Sequence, residues 1–166
     1  MKIVKALWIF SFFGCFGVIA LTYAHLPLTV NIGEIENDGL VISKDAYFYL
    51  SIGILLLFNV LLNIIGKGIQ FVPTQGIIIP NRKEWLTDIN TTKELYFLVK
   101  SWVRGFAFIT NLFLAVVIGI VYDMNSRGHF VLGWILYIIL GLAIFWIVYF
   151  FVLFLSKPSH LKKEFS

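Results

Sequence analysis

The chain has 166 residues, of which 60% are hydrophobic, 17% aromatic and only 13% charged. Soluble domains carry about 25% charged residues, so this composition excludes an ordinary water-soluble domain. The formal net charge of +4 follows the placement of Lys and Arg around long apolar runs and gives no case for nucleic-acid binding.

Four runs are long enough to cross the hydrocarbon core of a bilayer, which takes about 20 helical residues. The first covers residues 3–24 and, past Lys5 in its first turn, is interrupted only by the small polar side chains Ser11, Cys15 and Thr22. Lys2 and Lys5 at its start resemble the start of a signal peptide, but the run is long and has no small-x-small cleavage site, so a retained span is expected. Phe12-Phe13-Gly14-Cys15 resembles a lipoprotein box, yet apolar residues continue beyond it. A single cysteine permits no internal disulfide, which makes Cys15 a helix-packing residue.

Pro27 ends the first helix, because it has no amide donor and clashes with the preceding turn. Turn residues follow, with Asp38-Gly39 the sharpest signal. A short extended piece over residues 28–32 is compatible with this pattern, although two strands alone make a marginal hairpin. Glu34, Glu36 and Asp38 lack the oxygen spacing of a calcium loop and read as solvated turn residues.

The second span covers residues 46–65. Asn59 and Asn63 lie four apart on it and therefore share one helix face. The connection that follows, residues 66–101, is punctuated by Gly66, Gly68, Pro73, Gly76 and Pro80. Its apolar residues suggest a segment that lies on the membrane surface or packs against the helices. Asn81 and Glu84 have the spacing of a capping box, predicting a short helix with Trp85, Leu86 and Ile89 toward lipid. Thr91 and Glu94 repeat that spacing, and residues 93–122 then read as one helix of about 45 Å.

Within it, the third span covers residues 102–122 and carries Asn111. Trp102 is expected to anchor at the interface and Arg104 to reach the headgroups by snorkelling. The fourth span, residues 130–155, has no charge from Val131 onward. Gly133 and Gly141 fall near one another on one of its faces, while Gly53, Gly105 and Gly119 are further candidates for close helix approach.

Eleven of the thirteen Lys and Arg residues fall on the side that holds both termini, and only Lys44 and Arg127 fall on the other. Five of the nine acidic residues lie with those two, so the sides carry about −3 and about +7. Cytoplasmic loops are the basic ones. The expectation is one all-α domain over residues 1–166. It is an integral membrane four-helix bundle in a bacterial cytoplasmic (inner) membrane, with N-in/C-in topology and an interfacial inner connection.

Two stretches resemble a known family. Leu26-Pro27, Asn31-Ile32-Gly33-Glu34, Gly39 and Ser43-Lys44 are similar to a loop of the form Leu-Pro…His-Phe-Asn…Gly. Pro80-Asn81-Arg82-Lys83-Glu84-Trp85-Leu86 is similar to an inner Pro-Asn-x-x-x-Trp-Leu motif. Both belong to small bacterial membrane proteins of the DUF1648 type, and the resemblance covers about residues 20–125. Thr29-Val30-Asn31 departs from the family's His-Phe-Asn. The module also occurs in the membrane-embedded immunity protein of a sporulation-delaying toxin system. The resemblance thus implies a multi-pass architecture and an immunity-like or sensing role, and it implies no catalytic residue.

For chemistry, the asparagines are the informative residues. A side-chain amide facing lipid leaves donors and acceptors unpaired, so Asn59, Asn63 and Asn111 are expected to turn inward and bond between helices. The sharper reading has them lining a polar path. No Asp, Glu or Lys lies at mid-membrane to couple ions or protons. His25, His129 and His160 are scattered, and no metal-ligand spacing, nucleophile elbow or phosphate loop occurs, so neither enzyme activity nor a cofactor is expected. Haem held between His25 and His129 is the weaker reading of two interfacial histidines. The sequence therefore favours a non-enzymatic protein acting by association, as an accessory subunit or immunity-like sensor. Its partners would be the lipid bilayer and a membrane protein or a second copy, with contacts through Asn81, Trp85, Trp102 and Arg104. The second function class is a small transporter or channel component using the asparagines.

Overall fold

The computed structural model describes residues 2–32, 40–127 and 133–155. The acidic turn at Glu34, Glu36 and Asp38, together with His129, His160 and the basic tail, lies outside them. In chain order the elements are helix α1 (Lys2–His25), strands β1 (Thr29–Asn31) and β2 (Val41–Ser43), and helix α2 (Lys44–Gly68). Short helix α3 (Arg82–Trp85), the 39-residue helix α4 (Ile89–Arg127) and helix α5 (Gly133–Leu155) follow. Four of these helices are long and apolar enough to cross a membrane. The protein is a multi-pass, largely helical membrane-spanning protein.

α4 is the mast of the fold. At 1.5 Å per residue its 39 residues run about 58 Å, against about 30 Å of hydrocarbon. It begins four residues before the expected start at Lys93, because Asp88 supplies the cap: its carboxylate accepts from the Thr91 amide at 2.9 Å. The Thr91–Glu94 capping box is thus replaced, with Thr91 fully buried beneath the connection. Both overhanging ends of α4 carry structure that lies beyond the spans.

α1 and α2 pack on α4 along narrow stripes. On α1 the buried residues are Ser11, Cys15, Ile19 and Thr22, a spacing of three to four that marks one helix face. Three of the four are small or polar, which lets α1 sit close to α4. On α2 the buried stripe runs through Tyr47, Ser51, Leu55, Asn59 and Gly66. Cys15, Ile19, Leu55 and Ile118 form the apolar centre of this three-helix core. α5 packs along α4 rather than completing a symmetric four-helix bundle.

The seam between α4 and α5 is made by tryptophans. Trp102 Nε1 donates to the Trp146 carbonyl at 2.9 Å, and Trp146 Nε1 donates to the Trp102 carbonyl at 3.0 Å. Gly105 makes this possible, since a Cβ there would stand 2.1 Å from Trp146 Cζ2. Of the other glycines expected to admit a neighbour, Gly53 and Gly141 face open space instead.

At one end β1 and β2 form an antiparallel pair with Val30 opposite Ile42, a small departure from an all-α fold. Two three-residue strands would be marginal by themselves. Here Val30 is fully buried with Leu26, Tyr47 and Val121. Asn125, on the overhang of α4, donates to the Asn31 carbonyl at 2.8 Å and accepts from the Asn31 amide at 2.9 Å. That pair of bonds extends the ladder with a side chain. Ser43 then caps α2 by accepting from the Ala46 amide at 3.2 Å.

At the opposite, basic end the connection folds back under α5. Asn81 is not the expected helix cap: its backbone is left-handed, with φ 54°, and its side chain makes no capping bond. Its amide donates to the Leu155 carbonyl at 2.7 Å. Trp85 is likewise not turned to lipid. It is 1% exposed, packs edge-on to Phe154 at 5.6 Å, and donates to the Phe154 carbonyl at 3.3 Å. The last carbonyls of any helix lack intrahelical donors, and α5 obtains two from this motif. Ile77, Leu95, Val99 and Val103 complete the cluster around Trp85.

Candidate functional site: a polar network and the cleft beside it

Asn59 on α2 meets Asn111 on α4. Asn59 Nδ2 donates to Asn111 Oδ1 at 2.7 Å, and Asn111 Nδ2 returns a bond to Asn59 Oδ1 at 3.3 Å. Two α1 residues that sequence reasoning did not single out for the site close the network. Trp8 Nε1 donates to Asn59 Oδ1 at 2.8 Å, and Ser11 Oγ accepts from Asn111 Nδ2 at 3.1 Å. Asn59 also donates to the Leu55 carbonyl at 2.8 Å, and Ser11 donates to the Trp8 carbonyl at 2.9 Å. The network therefore ties three helices together, and every amide group of both asparagines is engaged. Ser11 was visible as a polar break in an apolar run. A periodicity argument would have found Trp8, which lies three residues earlier on the same face.

Asn63 does not join them. It is half-buried and lines a narrow cleft between α2 and α4 toward the basic end, where Trp8, Asn59, Lys100 and Arg104 are also found. Gly66 and Val103 close the cleft: a Cβ on Gly66 would lie 3.4 Å from Val103. Lys100 and Arg104 are four residues apart on α4, both half-buried, so they present two positive charges from one helix face. Arg104 lies seven residues before Asn111, a rise of about 10 Å along the helix. A groove of about 290 Å³ continues between α1 and α2, lined by Phe12, Phe13, Leu56 and Val60 and sharing Trp8, Asn59 and Asn63 with the cleft. The wall made by those three residues thus joins the mid-bundle network to the basic end.

The other expected contact residues are spent within the fold. Trp102 is held between Phe106 and Phe150 with its indole bonded to α5. Asn81 and Trp85 hold the end of α5. Of the four, Arg104 lines the cleft, and Asn81 also borders an open hollow with Arg82, Lys83, Glu84 and Leu86.

Beyond the network, away from the basic end, Cys15, Ile19, Leu55 and Ile118 form an apolar layer. Among the described residues no group of three or more His, Cys, Asp or Glu side chains comes together in a way that could hold a metal ion. His25 is exposed and bonds the Leu21 carbonyl of its own helix. The arrangement can offer amide donors and acceptors to a polar group and two cations to an anion. No family model, no curated protein and no solved structure matches this chain.

Proposed function

We propose that the chain is a non-catalytic component of a small transporter or channel, with the Asn59–Asn111 network as its polar constriction and the basic cleft as its entrance. The observation that carries this is the shared wall of Trp8, Asn59 and Asn63, which connects the amides to the basic end of the bundle. The apolar layer around Leu55 and Ile118 supports a closed resting arrangement. A solute would pass by exchanging amide–amide bonds for bonds to itself, each worth about 0.6–1.7 kcal/mol in a bilayer. The network contains no ionisable group, so passage would be uncoupled to protons and would suit small uncharged polar solutes.

The test uses glycerol as the probe. Stopped-flow swelling of proteoliposomes should exceed that of empty liposomes, and Asn111→Leu in folded protein should abolish the excess. Swelling equal to empty liposomes, or unaffected by Asn111→Leu, overturns the proposal.

The placement that accompanies it is a bacterial cytoplasmic membrane with both termini inside, supported by eleven of thirteen Lys and Arg on that side. A second reading is association, as an accessory subunit or an immunity-like sensor in keeping with the DUF1648-type motifs. Its support is that, among the described residues, α5 packs mainly along α4, leaving most of its surface for a partner or second copy. A stoichiometric protein retained through gentle-detergent purification at native expression would favour that reading. A chain that purifies alone would remove it.

A further inference from the structure

Lys100 and Arg104 share a helix face and are each half-buried beside the cleft, and two such cations at the edge of a membrane need an anion or water. Among the described residues no carboxylate lines the cleft, while Asn63 and Trp8 line it with Lys100 and Arg104. The adjoining groove is apolar, through Phe12, Phe13, Leu56 and Val60, and its volume of about 290 Å³ is close to the lower bound of small-molecule sites, about 300 Å³. A free phosphate would satisfy the cations and leave that groove empty. A zwitterionic lipid would fill the groove and bring its own positive charge to the cations. An anionic headgroup joined to an acyl chain satisfies both features at once.

The cleft itself is about 10 Å³, room for one water. We therefore infer that the groove between α1 and α2 binds one anionic phospholipid, with its phosphate outside the cleft mouth facing Lys100 and Arg104 and an acyl chain along Phe12, Phe13, Leu56 and Val60. The inference goes beyond the transport proposal, whose solutes are uncharged, and assigns the basic mouth of the cleft to a bound lipid and not to the solute. Asn63 donates to the headgroup, which accounts for an asparagine turned to the cleft and not into the network. Arg104, the deeper of the two cations, sets the depth of the phosphate.

The experiment is lipid retention by native mass spectrometry. Full-length protein is equilibrated with equal amounts of phosphatidylglycerol and phosphatidylcholine of identical chains. One phosphatidylglycerol should be retained with about tenfold preference, the effect expected of two basic side chains near a phosphate. Lys100→Gln with Arg104→Gln should bring the preference close to parity, and the charge-preserving pair Lys100→Arg with Arg104→Lys should keep it. Val60→Trp, at a half-exposed groove position that leaves both cations in place, should weaken phosphatidylglycerol retention. That variant keeps the question decidable where the double Gln variant does not fold.

Equal retention of the two lipids in the unaltered protein overturns the inference, as does a preference that survives the Gln pair in folded protein. Displacement of the lipid by millimolar inorganic phosphate also overturns it, by assigning the cations to a free anion. Glycerol swelling on the same preparations separates the two proposals. Preference lost with swelling intact removes lipid as the occupant, and swelling absent with preference intact removes transport while leaving the lipid site standing.

Discussion

Removing either asparagine of the central pair should cost stability, and removing both should cost less than the sum. Asn59→Ala deletes three bonds between helices, one from Trp8 and two shared with Asn111. It also leaves the Trp8 indole and the Asn111 amide without those partners. At about 0.6–1.7 kcal/mol per interhelical bond, the loss is about 2–4 kcal/mol. Asn111→Ala deletes the same two shared bonds and the one to Ser11, but Asn59 keeps Trp8 and Leu55, so about 1.5–3 kcal/mol is expected. The shared bonds are counted in both single variants, which predicts a coupling of about 1–2 kcal/mol in the double variant. Reversible unfolding by steric trapping in bicelles measures all four corners of the cycle. The Leu series gives a sharper test. One Leu opposite one Asn buries an unpaired amide, whereas Leu opposite Leu buries none, and the latter exchange can be nearly neutral. The double Leu variant should therefore be more stable than either single one. Additivity within about 0.5 kcal/mol, or a double Leu variant below both singles, would refute the reasoning.

Gly105→Ala should destabilise the α4–α5 seam by about 2 kcal/mol or more, because a Cβ 2.1 Å from Trp146 Cζ2 must displace a ring held by two indole bonds. Gly66→Ala, with its nearest contact at 3.4 Å, should change stability by less than about 0.5 kcal/mol on the same thermal melts. Trp85→Phe keeps the ring contact with Phe154 and removes the donor to its carbonyl. Together with Asn81→Ala it should speed amide hydrogen exchange in the last turn of α5 and leave α1 unchanged. Asn125→Ala removes both bonds to Asn31, so exchange at β1 and β2 should rise by about tenfold or more, corresponding to about 1–2 kcal/mol, with the spans unaffected.

The lengths and order of the spans were legible because about 20 consecutive apolar residues are a local property that survives any packing. The inward turn of Asn59 and Asn111 was legible for a related reason, since hydrocarbon offers an amide no other partner. Trp8 and Ser11 were not legible as site residues, because their role depends on which α1 face meets α2 and α4. Asn63 shared a face with Asn59 by spacing, yet it lines the cleft and stays outside the network. Asn81 and Glu84 matched a capping box in spacing, and Trp85 matched an interfacial anchor in type. Both matches were overruled by contacts some 70 residues away at Leu155 and Phe154.

The sequence by itself thus determined that this is a multi-pass membrane protein with four long apolar helices, and that Asn59 and Asn111 turn away from lipid, because each depends only on hydrophobic length and the cost of unpaired polar groups. Only the tertiary structure decided that α4 is the common support and that two tryptophans lock α5 to it. It alone decided, too, that Lys100 and Arg104 share a cleft with Asn63. These are matters of which helix faces meet, and one apolar face resembles another until the neighbours' shapes and hydrogen-bond partners select among them.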